Sequence, residues 1–259
     1  MHAVASRRVS ELVHGRHVVR IRAWSLDTWR TPRRRRAAVA LALALASAAS
    51  FARIAEDYLT NDPLVRWDVS FARWLAEHRG QPALDFFRIT TAVGSPVFVL
   101  ASGALLVVLA YRARRLADAA FVAVVLCGAE VVNVALKLAF HRPRPEVAFV
   151  TLDTYSFPSG HAMIATAGYG ALLVLAWLRL RSTRSRSFAA VLAFGLVALI
   201  CFSRLYLGVH YLSDVLAGFA GGCAWLALCV AVRETHGDRF AARFDGSGID
   251  RVGRRLTRS

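Results

Sequence analysis

Residues 117–145, ADAAFVAVVLCGAEVVNVALKLAFHRPRP, decide how the chain is read. Up to Phe140 the stretch is apolar apart from Asp118, Glu130, Asn133 and Lys137. About 20 such residues suffice to carry a helix across a bilayer. The span ends on His141-Arg142-Pro143-Arg144-Pro145, where two prolines stop the helix and two arginines sit at its exit. Ionisable groups at such a level are costly, so Lys137, Arg142 and Arg144 are read as candidates for function.

Working outward, the apolar pattern recurs. Runs at roughly 37–55, 92–111, 117–140, 161–179, 188–207 and 211–232 give six candidate spans. A 259-residue chain that is 56% hydrophobic is neither disordered nor a typical soluble domain. The expected fold is all-α, a polytopic membrane protein with six transmembrane helices. Residues 1–36 and 233–259 are expected as basic cytoplasmic tails around a membrane domain at 37–232. The first span has a rival reading, because Arg33–Arg36, the run 37–46 and Ala46-Ser47-Ala48 also resemble a signal peptide. Leu64, Trp67, Phe71, Trp74 and Leu75 recur at helical spacing among charged residues, which predicts a short helix on the outer interface. Gly94-Ser95-Pro96 is expected to break the chain before the second span. The four cysteines all fall inside apolar runs and read as small hydrophobes.

A net charge of +16 raises the question of nucleic acid, but the excess lies in tails and short loops, not along one element. Residues 1–36 carry ten Arg against Glu11 and Asp27. Such flanking charge sets topology and meets anionic lipid headgroups. Loops 112–118 and 179–187 and both tails are Arg-rich and belong inside; 56–91, 141–160 and 208–210 then lie outside. The chain is therefore expected in the plasma membrane, with Lys137, Arg142, Arg144, His161, Arg204, His210 and Asp214 gathered at the extracytoplasmic face.

Lys137 is the only lysine among 33 basic residues. A site that needs a compact ammonium explains that choice; a lysine snorkelling from a span end is the plain alternative. Pro158-Ser159-Gly160-His161 reads as a loop entering a helix, with Ser159 at the N-cap and free amides behind it. It reads equally as an ordinary capped helix start. His210 and Asp214 are spaced i, i+4, so a carboxylate can orient an imidazole and activate it as a nucleophile; a structural His–Asp pair is the alternative. Lys137, Arg144 and Arg204 would repel a metal ion and suit phosphate oxygens, so no metal or other cofactor is expected. Glu130, near mid-span, is expected to make a buried structural hydrogen bond, with a substrate or proton-handling role as the alternative.

These residues fall in a known order. The sequence resembles the type 2 phosphatidic acid phosphatase superfamily, whose signature is Lys-x6-Arg-Pro (Lys137 to Pro145), Pro-Ser-Gly-His (Pro158 to His161) and Ser-Arg-x5-His-x3-Asp (Ser203 to Asp214). All spacings match across 137–214. The resemblance implies a helical-bundle phosphatase core. It implies His210 as nucleophile, Asp214 as its orienting carboxylate and His161 as acid and then base. It implies Lys137, Arg144, Arg204, Ser159 and Gly160 as holders of the phosphoryl oxygens. The implied activity is metal-independent hydrolysis of a lipid phosphate through a phosphohistidine, with undecaprenyl diphosphate as leading substrate. Phosphatidylglycerophosphate and phosphatidic acid are the alternatives. A non-catalytic lipid-phosphate binding or transport protein is the reading from another class, and a soluble vanadate-dependent haloperoxidase sharing the motif is disfavoured by the spans. Nothing in the sequence fixes an oligomeric state.

Overall fold

The computed structural model describes residues 31–150 and 152–244, with side chains described to 236. Most of the tails at 1–36 and 233–259 lies outside the described residues. Eight helices and no strand occur among the described residues: α1 (Pro32–Thr60), α2 (Pro63–Glu77), α3 (Gln81–Val93), α4 (Pro96–Arg112), α5 (Leu116–Phe140), α6 (Gly160–Arg179), α7 (Thr183–Tyr206) and α8 (Leu212–Phe244). Six segments are long and apolar enough to cross a membrane, with α3 and α4 counted as one from Gln81 to Arg112. The chain is a multi-pass membrane protein of the all-α class.

Two features of the α2–α4 region differ from the sequence expectation. The second span was placed at 92–111, yet helix already runs through 81–93 before the break at Gly94. Asp85, Arg88, Thr90 and Thr91 hid it by lowering local hydropathy. The break itself is real: Ser95 caps α4, its side chain accepting from Phe98 N at 3.2 Å. Helix α2 forms where an interfacial helix was expected, but its buried face is offset by one residue. Trp67 and Trp74 are about half exposed, while Asp68, Ala72 and Leu75 are buried.

The core lies between α4, α5, α6 and α8. Val99, Phe121, Val125, Leu126, Ala129, Ile164, Ala167, Ala171 and Cys229 pack there. Apolar side chains turned outward, such as Leu41, Val97, Val131, Phe188 and Val191, form the lipid-facing surface. Between α6 and α8 the backbones approach closely because α8 carries Gly218 and Gly222 one turn apart. A Cβ at Gly218 would lie 2.4 Å from Ser159 O, and one at Gly222 would lie 2.6 Å from Met163 O. Small residues at i, i+4 permit this spacing in membrane helices. It brings the first turns of α6 and α8 together.

α1 packs along α8 and brings Phe51, Ile54 and Ala55 against Phe157, Phe140 and Ala217. α5 and α7 end at the level where α6 and α8 begin. The 141–159 and 207–211 connections therefore share one end of the bundle.

Candidate active site

α5 ends at His141, which takes a left-handed conformation (φ 48°) and turns the chain out of the helix. The segment after it is fastened along its length. Ser156 N donates to Arg142 O (2.8 Å), Ser156 Oγ to Pro143 O (2.9 Å) and Phe149 N to Leu207 O (3.0 Å). Arg79, just past α2, donates to both Val147 O (2.8 Å) and Leu207 O (3.3 Å), so it ties the two connections to each other. In the second connection Gly208 has φ +67°, and a Cβ there would sit 2.8 Å from Val147 O. A residue free to adopt that angle is needed to turn the chain between Arg204 and His210.

His210 is 3% exposed. Its Nδ1 lies 3.5 Å from Asp214 Oδ2, and its Nε2 lies 3.3 Å from Arg144 Nη1. The i, i+4 pairing expected from sequence is present, at a distance longer than a formed hydrogen bond. Catalytic contacts of this kind are often long before substrate is bound. Burial holds the His210 imidazole well below its ordinary pKa range, and Arg204, Arg144 and Lys137 push it the same way. Its ring is thus neutral, with Nε2 turned toward Arg144 and Nδ1 toward the carboxylate.

Asp214 is fully buried and held at both oxygens. Oδ2 accepts from Tyr211 N (2.9 Å), and Oδ1 accepts from Arg142 Nη1 (2.7 Å). Its backbone carbonyl accepts from Ser159 N (2.9 Å), joining the start of α8 to the start of α6. Arg142 also donates to Ser213 Oγ (2.6 Å) and to Asp68 Oδ2 (3.0 Å).

The remaining cations have a different setting. Arg144 donates to Thr154 O (2.8 Å), Thr154 Oγ1 (2.7 Å) and Val209 O (2.8 Å). Arg204, 5% exposed, donates from Nη1 to Thr91 Oγ1 (2.7 Å), while its buried Nε has no protein partner. Lys137 Nζ donates to Tyr155 O. Among the described residues none of these three has a carboxylate within ion-pair distance. A carbonyl or hydroxyl fixes a guanidinium without cancelling its charge, and three charges left this way suit a multiply charged anion. His161, on the first turn of α6, lies within electrostatic reach of Arg204, His210, Arg144 and Lys137. It makes no hydrogen bond or ion pair among the described residues.

Ser159 occupies the N-cap position of α6, as expected, but its side chain makes no cap bond, and Oγ is buried without a partner. The hydroxyl and the first amides of α6 thus remain as donors for an anion, with the helix dipole behind them. Gly160 has a second reason to be glycine: a Cβ there would meet Asn133 Oδ1 at 2.9 Å, so α5 crowds this turn. Glu130 departs from expectation. Its Oε2 is buried without a hydrogen-bond partner, and the polar contact in this region belongs to Asn133, 3.8 Å from Met163 Sδ.

The structure therefore brings together Lys137, Arg144, Ser159, Gly160, His161, Arg204, His210 and Asp214. It adds residues that the sequence reading did not single out as parts of the site: Asp68, Thr91, Thr154 and Tyr211.

Residues 118–238 match the model of the PAP2 superfamily. Phosphatidylglycerophosphatase B of Bacillus subtilis is 36% identical over 95 residues, 35% of this chain and 45% of that protein. Lipid phosphate phosphatase delta of Arabidopsis thaliana is 38% identical over 82 residues, 31% of this chain and 20% of that one. Undecaprenyl-diphosphatase of Sulfolobus acidocaldarius is 35% identical over 82 residues, 31% of this chain and 35% of that one. The chain thus spans less than half the length of these curated relatives. The crystal structure of a transmembrane PAP2 type phosphatidylglycerolphosphate phosphatase from Bacillus subtilis superposes with a TM-score of 0.66 at 24% identity, covering 76% of this chain and 96% of that one. That match establishes the fold.

Proposed function

We propose that this chain, whose residues 118–238 match the PAP2 superfamily model, hydrolyses a lipid phosphate at the bundle end where His210 and His161 meet. The observation that carries the reading is the contrast in partners. Lys137, Arg144 and Arg204 surround a neutral, buried His210 and are held by oxygen atoms that carry no formal charge. An anionic phosphoryl group supplies the missing negative charge.

In the proposed reaction His210 Nε2 attacks phosphorus and the bond to the leaving oxygen breaks. Asp214, at Nδ1, stabilises the positive charge that develops on the ring. His161, in its protonated form, gives a proton to the leaving oxygen. It then takes one from the water that cleaves the phosphohistidine, releasing phosphate and restoring His210. Lys137, Arg144, Arg204, Ser159 Oγ and the Gly160 amide hold the phosphoryl oxygens through both steps. Three cations beside the histidines oppose a catalytic metal ion, so the reaction runs without one.

An apolar cavity of about 390 Å³ opens among α1, α6, α7 and α8. Its first residues, Thr166, Phe219 and Val197, lie five to seven positions along their helices from His161, Asp214 and Arg204. That is about 7–11 Å at 1.5 Å per residue, room suited to a hydrocarbon chain beneath the headgroup. Undecaprenyl diphosphate is the leading substrate, because an extracytoplasmic site in the plasma membrane suits recycling of that carrier. The Arg-rich 1–36 and 233–259 segments then lie in the cytoplasm against anionic lipid, and Trp67 and Trp74 of α2 rest at the outer headgroups. The phosphatidylglycerophosphatase relative keeps glycerophospholipid phosphates as the second reading.

The test is phosphate release by the purified protein from a panel of undecaprenyl diphosphate, phosphatidylglycerophosphate and phosphatidic acid, with and without EDTA. Release that survives chelator, with acid-labile label trapped on His210 and absent from His210→Ala, is expected. In His161→Ala the loss is smaller for a nitrophenyl phosphate, whose leaving group needs no proton, than for a lipid. Label on His161, or activity restored only by a divalent metal, overturns the mechanism.

A further inference from the structure

Arg142 and Asp68 are 3% and 0% exposed, and neither takes part in the reaction described above. Three buried charges, Asp68, Arg142 and Asp214, lie within one hydrogen-bonded group. Asp68 accepts from Arg142 Nη2 (3.0 Å), from Ser213 N (3.0 Å) and from Ser213 Oγ. The guanidinium lies between two rings, 4.8 Å from the centre of Tyr58 and 4.3 Å from that of Tyr211. Taking three charges out of water is expensive, and apolar residues of similar volume often hold a fold as well or better. Stability alone is a weak reason for such a group.

We infer that Asp68, on helix α2, is a positioning residue for the phosphoryl transfer: through Arg142 and Ser213 it fixes Asp214 behind the nucleophile while leaving that carboxylate's charge uncancelled. The inference rests on the phosphatase reading given above. Charge arithmetic carries it. Two carboxylates and one guanidinium leave a net charge of −1 on the group that meets His210 Nδ1 through Asp214. Without Asp68, Arg142 would pair with Asp214 alone, and the pair would be neutral. The ring that becomes cationic when it attacks phosphorus would then lose its counter-charge. Arg142 supplies the grip on Asp214, and Asp68 offsets the charge of that grip.

The other groups facing His210 are cationic or neutral: Lys137 from α5, Arg144 from the 141–159 segment, His161 from α6 and Arg204 from α7. Asp214, backed by Asp68, is thus the source of negative charge at this ring among the described residues. Asp68 also links α2 to the reaction centre, although α2 lies outside every motif.

The experiment uses the full-length protein purified in detergent, with folding checked by gel filtration and thermal melting. Kinetics on short-chain phosphatidic acid are measured for wild type, Asp68→Asn, Asp68→Asn/Arg142→Gln and Ser213→Ala. Asp68→Asn is expected to lower kcat at least tenfold with KM within about twofold. It should also move the acid limb of the pH profile down by about one unit, since a neutralised Asp214 lowers the proton affinity of His210. The double variant restores the charge of Asp214 and returns the limb toward wild type while kcat stays low.

A folded Asp68→Asn with the wild-type limb and kcat overturns the inference. So does a low kcat with an unmoved limb, the mark of a purely structural role. If Asp68→Asn does not fold, Ser213→Ala decides: it removes the shared hydroxyl and keeps both charges. It should lower kcat several-fold at constant KM, and wild-type kinetics there overturns the inference. If wild type hydrolyses no lipid phosphate, the phosphatase reading fails instead. Imidazole ¹⁵N signals of His210 then report the coupling independently, and signals unmoved by Asp68→Asn refute it.

Discussion

Arg142 and Arg144 stand two residues apart on one short connection, and the fold gives them opposite partners. Arg142 is 3% exposed, meets Asp68 and Asp214, and lies between the Tyr58 and Tyr211 rings. Arg144 meets three backbone carbonyls, a threonine hydroxyl and the nucleophile candidate. Identical side chains in one His-Arg-Pro-Arg-Pro run thus serve two purposes. A guanidinium paired with carboxylates is neutralised and becomes part of the frame. One held by neutral oxygens keeps its charge for an anion.

The comparison breaks or sharpens first with the two alanine variants. Arg142→Ala leaves two buried carboxylates unpaired and should destabilise the protein by about 3–5 kcal/mol, with activity lost alongside. Arg144→Ala should lose about 10²–10³ in kcat/KM, as expected for removal of a donor that stabilises the transition state. It gives up hydrogen bonds to carbonyls and a hydroxyl and the contact with His210, and leaves no carboxylate unpaired, so its stability cost is about 1–2 kcal/mol. Thermal melts and turnover of both variants decide it, and equal destabilisation by the two would erase the distinction.

Lys137 extends the comparison to the type of cation. It is the only lysine among 33 basic residues, and Nζ is fixed by the Tyr155 carbonyl. Lys137→Arg should fold and melt as wild type yet lose about tenfold or more in kcat, because the planar fork cannot occupy the same point. Wild-type kinetics would return the residue to a snorkelling role.

The smallest effect is on stability against pH. Burial and three cations depress the folded pKa of His210. The unfolded imidazole titrates near the ordinary value of about 6.5. Below that pH the unfolded state binds the extra proton, so stability falls as pH falls toward the folded pKa. Unfolding midpoints of wild type between pH 7 and pH 5 should decline more steeply than those of His210→Gln. Parallel curves would mean that His210 is not held neutral by its surroundings.

Much of the site was legible because its chemistry is written at fixed spacings. Lys137 and Arg144 are set by one exit from a helix, His210 and Asp214 by a four-residue step across the start of another, and Ser159 to His161 by a helix start. The group behind them was not legible. Asp68 sits beside Trp67 in an amphipathic helix whose aromatic stripe dominates the pattern, so by spacing it belongs to the polar face. A narrower stripe, Asp68, Ala72 and Leu75 at i, i+4 and i+7, is the face that packs inward. One acid in an otherwise small and apolar stripe was the available signal. Tyr58 and Thr91 carried none, since each acts only through a neighbour far away in the chain.

The sequence by itself determined the six apolar spans and the three motifs, and it put their charged ends at one end of the bundle. Span length and alternation follow from the hydrophobicity of consecutive residues, which is a local property. Only the tertiary structure decided which cations are paired and which remain open, and which residue of α2 faces inward. It also decided that the Ser159 hydroxyl does not cap its own helix. Those outcomes depend on distances between α1, α2, α3 and the motif helices. Such distances are set by close packing, such as that of Gly218 and Gly222 on α6, and electrostatic pairing changes steeply over a few ångströms in a buried site.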